Sequence, residues 1–137
     1  MAVLYMRQLK LTYPEMEQMF RRMVFNVFAR NCDDHTKNHS FIMDASGKWT
    51  LSPAYDICHA YRPGSEWVSS HSLSINGKRD HITMDDLLAV AELIHCRNPH
   101  DIINNVRKSV ANWRDFASEA KVDINLSNNI MSTLIVL

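Results

Sequence analysis

Apolar residues recur at helical spacing through "TYPEMEQMFRRMVFNVFAR", where Met16, Met19, Phe20, Met23, Val24, Val27 and Phe28 share one stripe. Thr12 and Glu15 have capping-box spacing and Pro14 suits a first turn, so the pattern predicts a helix that runs to about Arg30. The stripe reads as core, although its methionines also suit a plastic binding groove. Short alternating runs follow. "HSFIMDASGKWTLSPAYD" predicts a hairpin that turns at "DASGK", with Gly47 at positive φ and Pro53 ending the second strand. "SHSLSINGKRDHIT" predicts a second hairpin: His71, Leu73 and Ile75 alternate on one face, and Asn76-Gly77 marks a tight turn. Between the two, "YRPGSEWVSS" reads as an exposed, mobile loop.

The remainder returns to helical periodicity. Thr83 with Asp86 caps a helix whose inner face carries Leu87, Leu88, Ala91 and Ile94. Asn98-Pro99 opens the next, with Ile102, Ile103, Val106, Val110 and Trp113 inward, and Ser127 caps a last helix through Leu134. The expected fold is mainly α with two β-hairpins, in one domain spanning 1–137. Both ends, "AVLYM" and "NIMSTLIVL", are apolar, which suits segments docked on a larger body, a piece of a longer chain, or buried terminal helices.

Composition narrows the function classes. With 137 residues and 46% apolar content, the chain can bury one core. Fifteen acidic residues balance fifteen basic ones, so no global field draws nucleic acid or an anionic membrane. Three scattered cysteines, Cys32, Cys58 and Cys96, form no CxxC pair and signal neither a disulfide framework nor a cysteine-rich zinc site. No signal peptide or membrane span is apparent, and a cytoplasmic location is expected.

Between the first helix and the first hairpin lies "NCDDHTKNHSF", residues 31–41. Phosphoryl transfer needs a carboxylate near the attacking hydroxyl and oxygen ligands for magnesium beside the phosphates. Asp33 and Asn38 have the Asp-x4-Asn separation of a kinase catalytic loop. Asp56 follows a hairpin that starts at the loop, so closing the hairpin returns it towards Asn38. His35 and Lys37 suit donation to phosphate oxygens or bracing of the aspartate, with solvent exposure the plain alternative. Asp34 reads as structural. His35 and His39 also have the i, i+4 spacing of a metal pair, with Asp33, Asp34, Cys58 and His59 near in sequence, so a metal-binding protein is one alternative.

"NCDDHTKNHSF", "LSPAYDI" and "SLSINGKRDHIT" together resemble the C-terminal domain of HipA-type toxin kinases, from about Met16 to about Val90. That family comprises serine/threonine kinases of bacterial toxin–antitoxin modules with a two-lobed, kinase-like fold. The resemblance implies Asp33 as catalytic base, Asn38 and Asp56 as magnesium ligands, and ATP with Mg2+ as cofactors. The Asp-x-His-x-x-Asn core is also similar to phosphoinositide-kinase loops.

The departures matter as much. Only Gly47, Gly64 and Gly77 are present, far apart, and no lysine occupies a Val-Ala-Ile-Lys-like strand; Lys10 is a poor stand-in. The expectation is therefore a C-terminal kinase lobe whose N-terminal lobe is absent from 1–137 and acts in cis or in trans. Such a chain alone should bind magnesium-ATP weakly or undetectably and should not phosphorylate. The resemblance further implies a helix-turn-helix antitoxin partner and a protein substrate, with no direct nucleic-acid or membrane contact. A non-catalytic antitoxin-binding module is the other alternative.

Overall fold

The computed structural model describes residues 2–135; Val136 and Leu137, the last of the apolar tail, lie outside them. Six helices and one hairpin follow in the order α1 (Ala2–Gln8), α2 (Tyr13–Phe28), a 3-10 turn (Thr36–Asn38), β1 (Phe41–Met43), β2 (Trp49–Leu51), α3 (Met84–Leu93), α4 (Pro99–Ala111), α5 (Trp113–Glu119) and α6 (Ile124–Met131). Among the described residues no helix is long and apolar enough to cross a membrane.

The capping box at the start of α2 also ties the hairpin down. Glu15 Oε2 accepts from the Thr12 amide at 2.8 Å and its hydroxyl at 2.7 Å, while Glu15 Oε1 accepts from the Leu51 amide at 2.8 Å. Burial works against the Glu15 charge, but these bonds outweigh it and lower its pKa. Met6, Leu11 and Met19 are buried beneath the hairpin residues Phe41, Trp49 and Leu51. The larger core lies on the other side of α2: Phe20, Val24, Val27 and Phe28 pack with Leu87 and Ala91 of α3 and Ile102, Ile103, Val106 and Val110 of α4. Met23 is only partly buried at the edge of this core.

β1 and β2 pair antiparallel, with Phe41 opposite Leu51 and Met43 opposite Trp49. Their turn is closed by Asp44, whose Oδ1 accepts from the amides of Ser46 and Lys48, with Gly47 at φ 82°. Beyond the strands, Ser40 and Ser52 join through a backbone bond of 3.0 Å and a hydroxyl pair at 2.8 Å. The hairpin therefore begins and ends at adjacent points.

The expected second hairpin does not form as a pair of strands. Asn76 (φ 50°) and Gly77 (φ 82°) make the turn, closed by the reciprocal bonds of Ile75 and Lys78. The pairing stops there because the preceding backbone is used elsewhere. The amides of Ser72 and Leu73 donate to Asp34, and the bond from His71 N to Arg79 O falls out of register with the Ile75–Lys78 pair.

Asp86 fixes this turn to α3, accepting from Lys78 Nζ, the Thr83 amide and Asn76 Nδ2, bonds that hold its carboxyl far below the usual carboxylate range. Two further boundaries differ from expectation. Trp113 opens α5 half-buried, its indole N–H donating to Ser127 O at 3.0 Å, because the helix breaks at Asn112. Asp123, rather than Ser127, caps α6 by accepting from the amides of Asn125 and Leu126; Ser127 is buried inside that helix.

Phe20 is 2% exposed at the centre of the larger core. Phe20→Ala should cost about 3–5 kcal/mol through lost burial and the cavity left behind. Urea denaturation checks this, and a loss much below that range would mean that the core closes around the gap.

Candidate active site

α2 ends in a reversal made without glycine. Asn31 N donates to Asn26 O at 2.9 Å and Arg30 N to Val27 O at 3.3 Å, with Arg30 left-handed at φ 55°. A non-glycine residue in that conformation costs about 1–2 kcal/mol. Here it is braced by the guanidinium of Arg30 lying 3.7 Å over the Tyr61 ring. The polar loop therefore starts at a fixed point and direction. Its next backbone groups pair with neighbouring segments: Cys32 N donates to Ala60 O at 3.0 Å, and Ser72 N reaches Cys32 O at 3.1 Å.

The two adjacent aspartates have opposite environments. Asp34 is 4% exposed; one oxygen accepts from the amides of Ser72 (2.7 Å) and Leu73 (3.3 Å), and the other lies 3.0 Å from His71 Nδ1. It is an internal anchor. The Asp33 side chain is half-exposed, with His35 Nε2 3.9 Å away. Burying one carboxylate locks the loop, and the alternation of side-chain direction turns the other outwards.

Thr36–Asn38 close into a 3-10 turn, Asn38 N donating to His35 O at 3.0 Å. The Asn38 side-chain amide then donates twice, to Asp33 O at 2.9 Å and to Asp56 Oδ2 at 2.7 Å. Asp56 is itself left-handed at φ 53°, a strained state that aspartate tolerates better than most residues. Its carbonyl accepts from Asn31 Nδ2 at 3.2 Å, and the same amide donates to Asn26 Oδ1 at 3.1 Å. A buried pair of asparagines thus connects α2 to the segment that carries Asp56.

Of the residues singled out from the sequence, Asp33, Asn38 and Asp56 are brought together, and His35 lies beside Asp33. Lys37 is exposed; its carbonyl accepts from the Tyr55 hydroxyl at 2.7 Å, which ties the turn to the strand end. His39 is partly buried, and burial depresses its imidazole pKa, with Asp34 opposing and Arg22 and His35 adding to the effect. Burial, with the fields of Asp56 and Asp33, raises the thiol pKa of Cys58, so it remains protonated at neutral pH. Among the described residues no group of three His, Cys, Asp or Glu side chains gathers as a metal site, so His35 and His39 have no third such partner.

Among the described residues, six buried side-chain atoms lack a hydrogen-bond partner: the Nε of Arg22 and of Arg30, Asn31 Oδ1, the Nδ1 of His35 and of His39, and His71 Nε2. Five of the six belong to the polar loop or its supports, and Arg22 Nε lies on α2 near the hairpin exit. The supports Asn26, Asn31 and His71 were not apparent as site residues from the sequence. Asn26 carried one signal: it lies seven residues after Met19, on the buried face of an apolar helix.

A family model for the HipA-like C-terminal domain matches residues 1–114, which include every element of this site. The chain belongs to that family. No curated protein and no solved structure matches it. The HipA-like match extends beyond the motifs into α1 and α4, so it includes both hydrophobic clusters that hold the loop in place.

Asn31→Ala would leave the Asn26 side-chain oxygen and the Asp56 carbonyl without their shared donor. The expected loss is about 1–3 kcal/mol in chemical denaturation. A change within about 0.5 kcal/mol would mean that water replaces the amide and that Asp56 does not depend on it.

Proposed function

We propose that the chain is the catalytic C-terminal lobe of a HipA-type serine/threonine protein kinase of a toxin–antitoxin module, moving the γ-phosphate of ATP to a protein hydroxyl. One observation carries the reading: the Asn38 amide spans the Asp33 carbonyl and the Asp56 carboxylate, which draws three residues from two segments to one point. Family membership supports it from a separate direction.

The donor set suits magnesium. Asn38 and Asp56 offer hard oxygen ligands at a partly exposed position, where a cation that sheds its waters reluctantly keeps most of them. Asn38 and Asp56 would hold the ion, which would there neutralise charge on the transferring phosphate. Asp33, half-exposed beside that point, accepts or orients the proton of the attacking hydroxyl. His35 stands beside Asp33, and the exposed Lys37 offers a cation to phosphate oxygens on the same turn.

The glycines at 47, 64 and 77 are too dispersed for a phosphate-cradling loop. We assign those backbone amides and a phosphate-binding lysine to an N-terminal lobe acting in cis or in trans, and the module's partner to a helix-turn-helix antitoxin. Asp33→Asn, assayed with such a lobe supplied, should lose on the order of a hundredfold to ten-thousandfold in phosphorylation rate. Stability should change by no more than about 0.5 kcal/mol, because the carboxylate is half-exposed. Undiminished phosphorylation by this variant would reject Asp33 as the base.

A further inference from the structure

A second feature borders the segment that carries Asp56. Residues of α2 and α4, with Ala54 and Ile57, line an open cleft of about 280 Å3. Its charged lining is Arg21 and Arg22, its apolar walls include Phe25, Ile57 and Val106, and no acidic residue lines it. Arg22 is 8% exposed and donates to Ser52 O at 2.7 Å, while its Nε has no partner. Burial lowers its pKa, and no carboxylate is among the groups that shift it. Arg21 pairs with Glu17, one turn away on the surface, at 3.6 Å.

A guanidinium taken out of water without a carboxylate is costly, since one neutral carbonyl replaces little of its hydration. Arginine is also the side chain best shaped to grip a carboxylate with two parallel bonds. The cleft is at the small end of the range for ligand sites, and its walls beside the cations are mostly apolar. We propose that this cleft binds a small amphipathic carboxylate, its charged head on Arg22 with Arg21 at the rim, and its apolar body against Phe25, Ile57 and Val106. The mostly apolar walls argue against a dianion such as phosphate, much of whose charged surface would face Phe25, Ile57 and Val106 without a polar partner.

Benzoate, acetate and inorganic phosphate serve as probes in an amide NMR titration of the 137-residue chain. Benzoate should cause saturable shifts at Ala54, Ile57, Val106 and Ser109, with a dissociation constant of about 1 mM or tighter. Acetate, which lacks the apolar body, should bind at least about tenfold more weakly, as loss of a buried apolar group implies. Arg22→Met should abolish the benzoate shifts. Should that variant not fold, Ser109→Phe, which fills the cleft from its exposed rim, should abolish them instead. Absence of saturable benzoate shifts would overturn the site, and phosphate binding as tight as benzoate would overturn the assignment to a carboxylate.

Discussion

The Asn38 side-chain amide is held between two acceptors from different parts of the chain, the carbonyl of Asp33 and the carboxylate of Asp56. Both bonds need the polar loop and the hairpin exit in fixed positions, and the 3-10 turn Thr36–Asn38 is too short to fix them by itself. Their positions are set from below. The left-handed turn at Arg30 starts the loop, the buried Asp34 carboxylate fastens it to the backbone at 72–73, and the Asn26–Asn31 pair holds the carbonyl of Asp56. The last two are buried or part-buried polar contacts, which in a low-dielectric interior are costly to leave unmade and therefore specify position.

Neighbouring residues divide the work by burial. Asp34 and Asp33 are chemically identical, but one gives its lone pairs to protein donors and the other keeps its oxygens accessible. Asn31 and Asn38 repeat the division: the first amide is sealed beneath Asp56, and the second reaches its carboxylate from the surface. A loop that offered all of these groups to water would be flexible. One that buried them all would have no chemistry to offer.

The sequence made the helical frame legible because its signals are local. The Thr12–Glu15 box, the stripe from Met16 to Phe28 and the caps at Thr83 and Asn98 all mark elements that form. The hairpin at Gly47 was legible for the same reason. The second hairpin was misread because Asn76-Gly77 specifies a turn but not the pairing around it, and Asp34, some forty residues earlier, takes up the amides of Ser72 and Leu73. The α4–α5 break at Asn112 and the cap at Asp123 were missed where helical periodicity ran across a short connection. Within the site, spacing alone suggested that Asp33, Asn38 and Asp56 meet. The asparagines and histidine beneath them were not legible, because a buried polar support is defined by tertiary contacts rather than by a motif.

The central claim is that Asn38 and Asp56 form the cation-holding part of a phosphoryl-transfer site. Its most direct test is paramagnetic broadening of amide signals as Mn2+ is added to the chain in the presence of ATP. The account predicts that signals around Asn38 and Asp56 broaden first, with Asp33 close behind, and that Asp56→Asn removes the effect. Broadening centred instead on Asp44 or on the Asp85–Asp86 pair, with residues 38 and 56 left sharp, would contradict it.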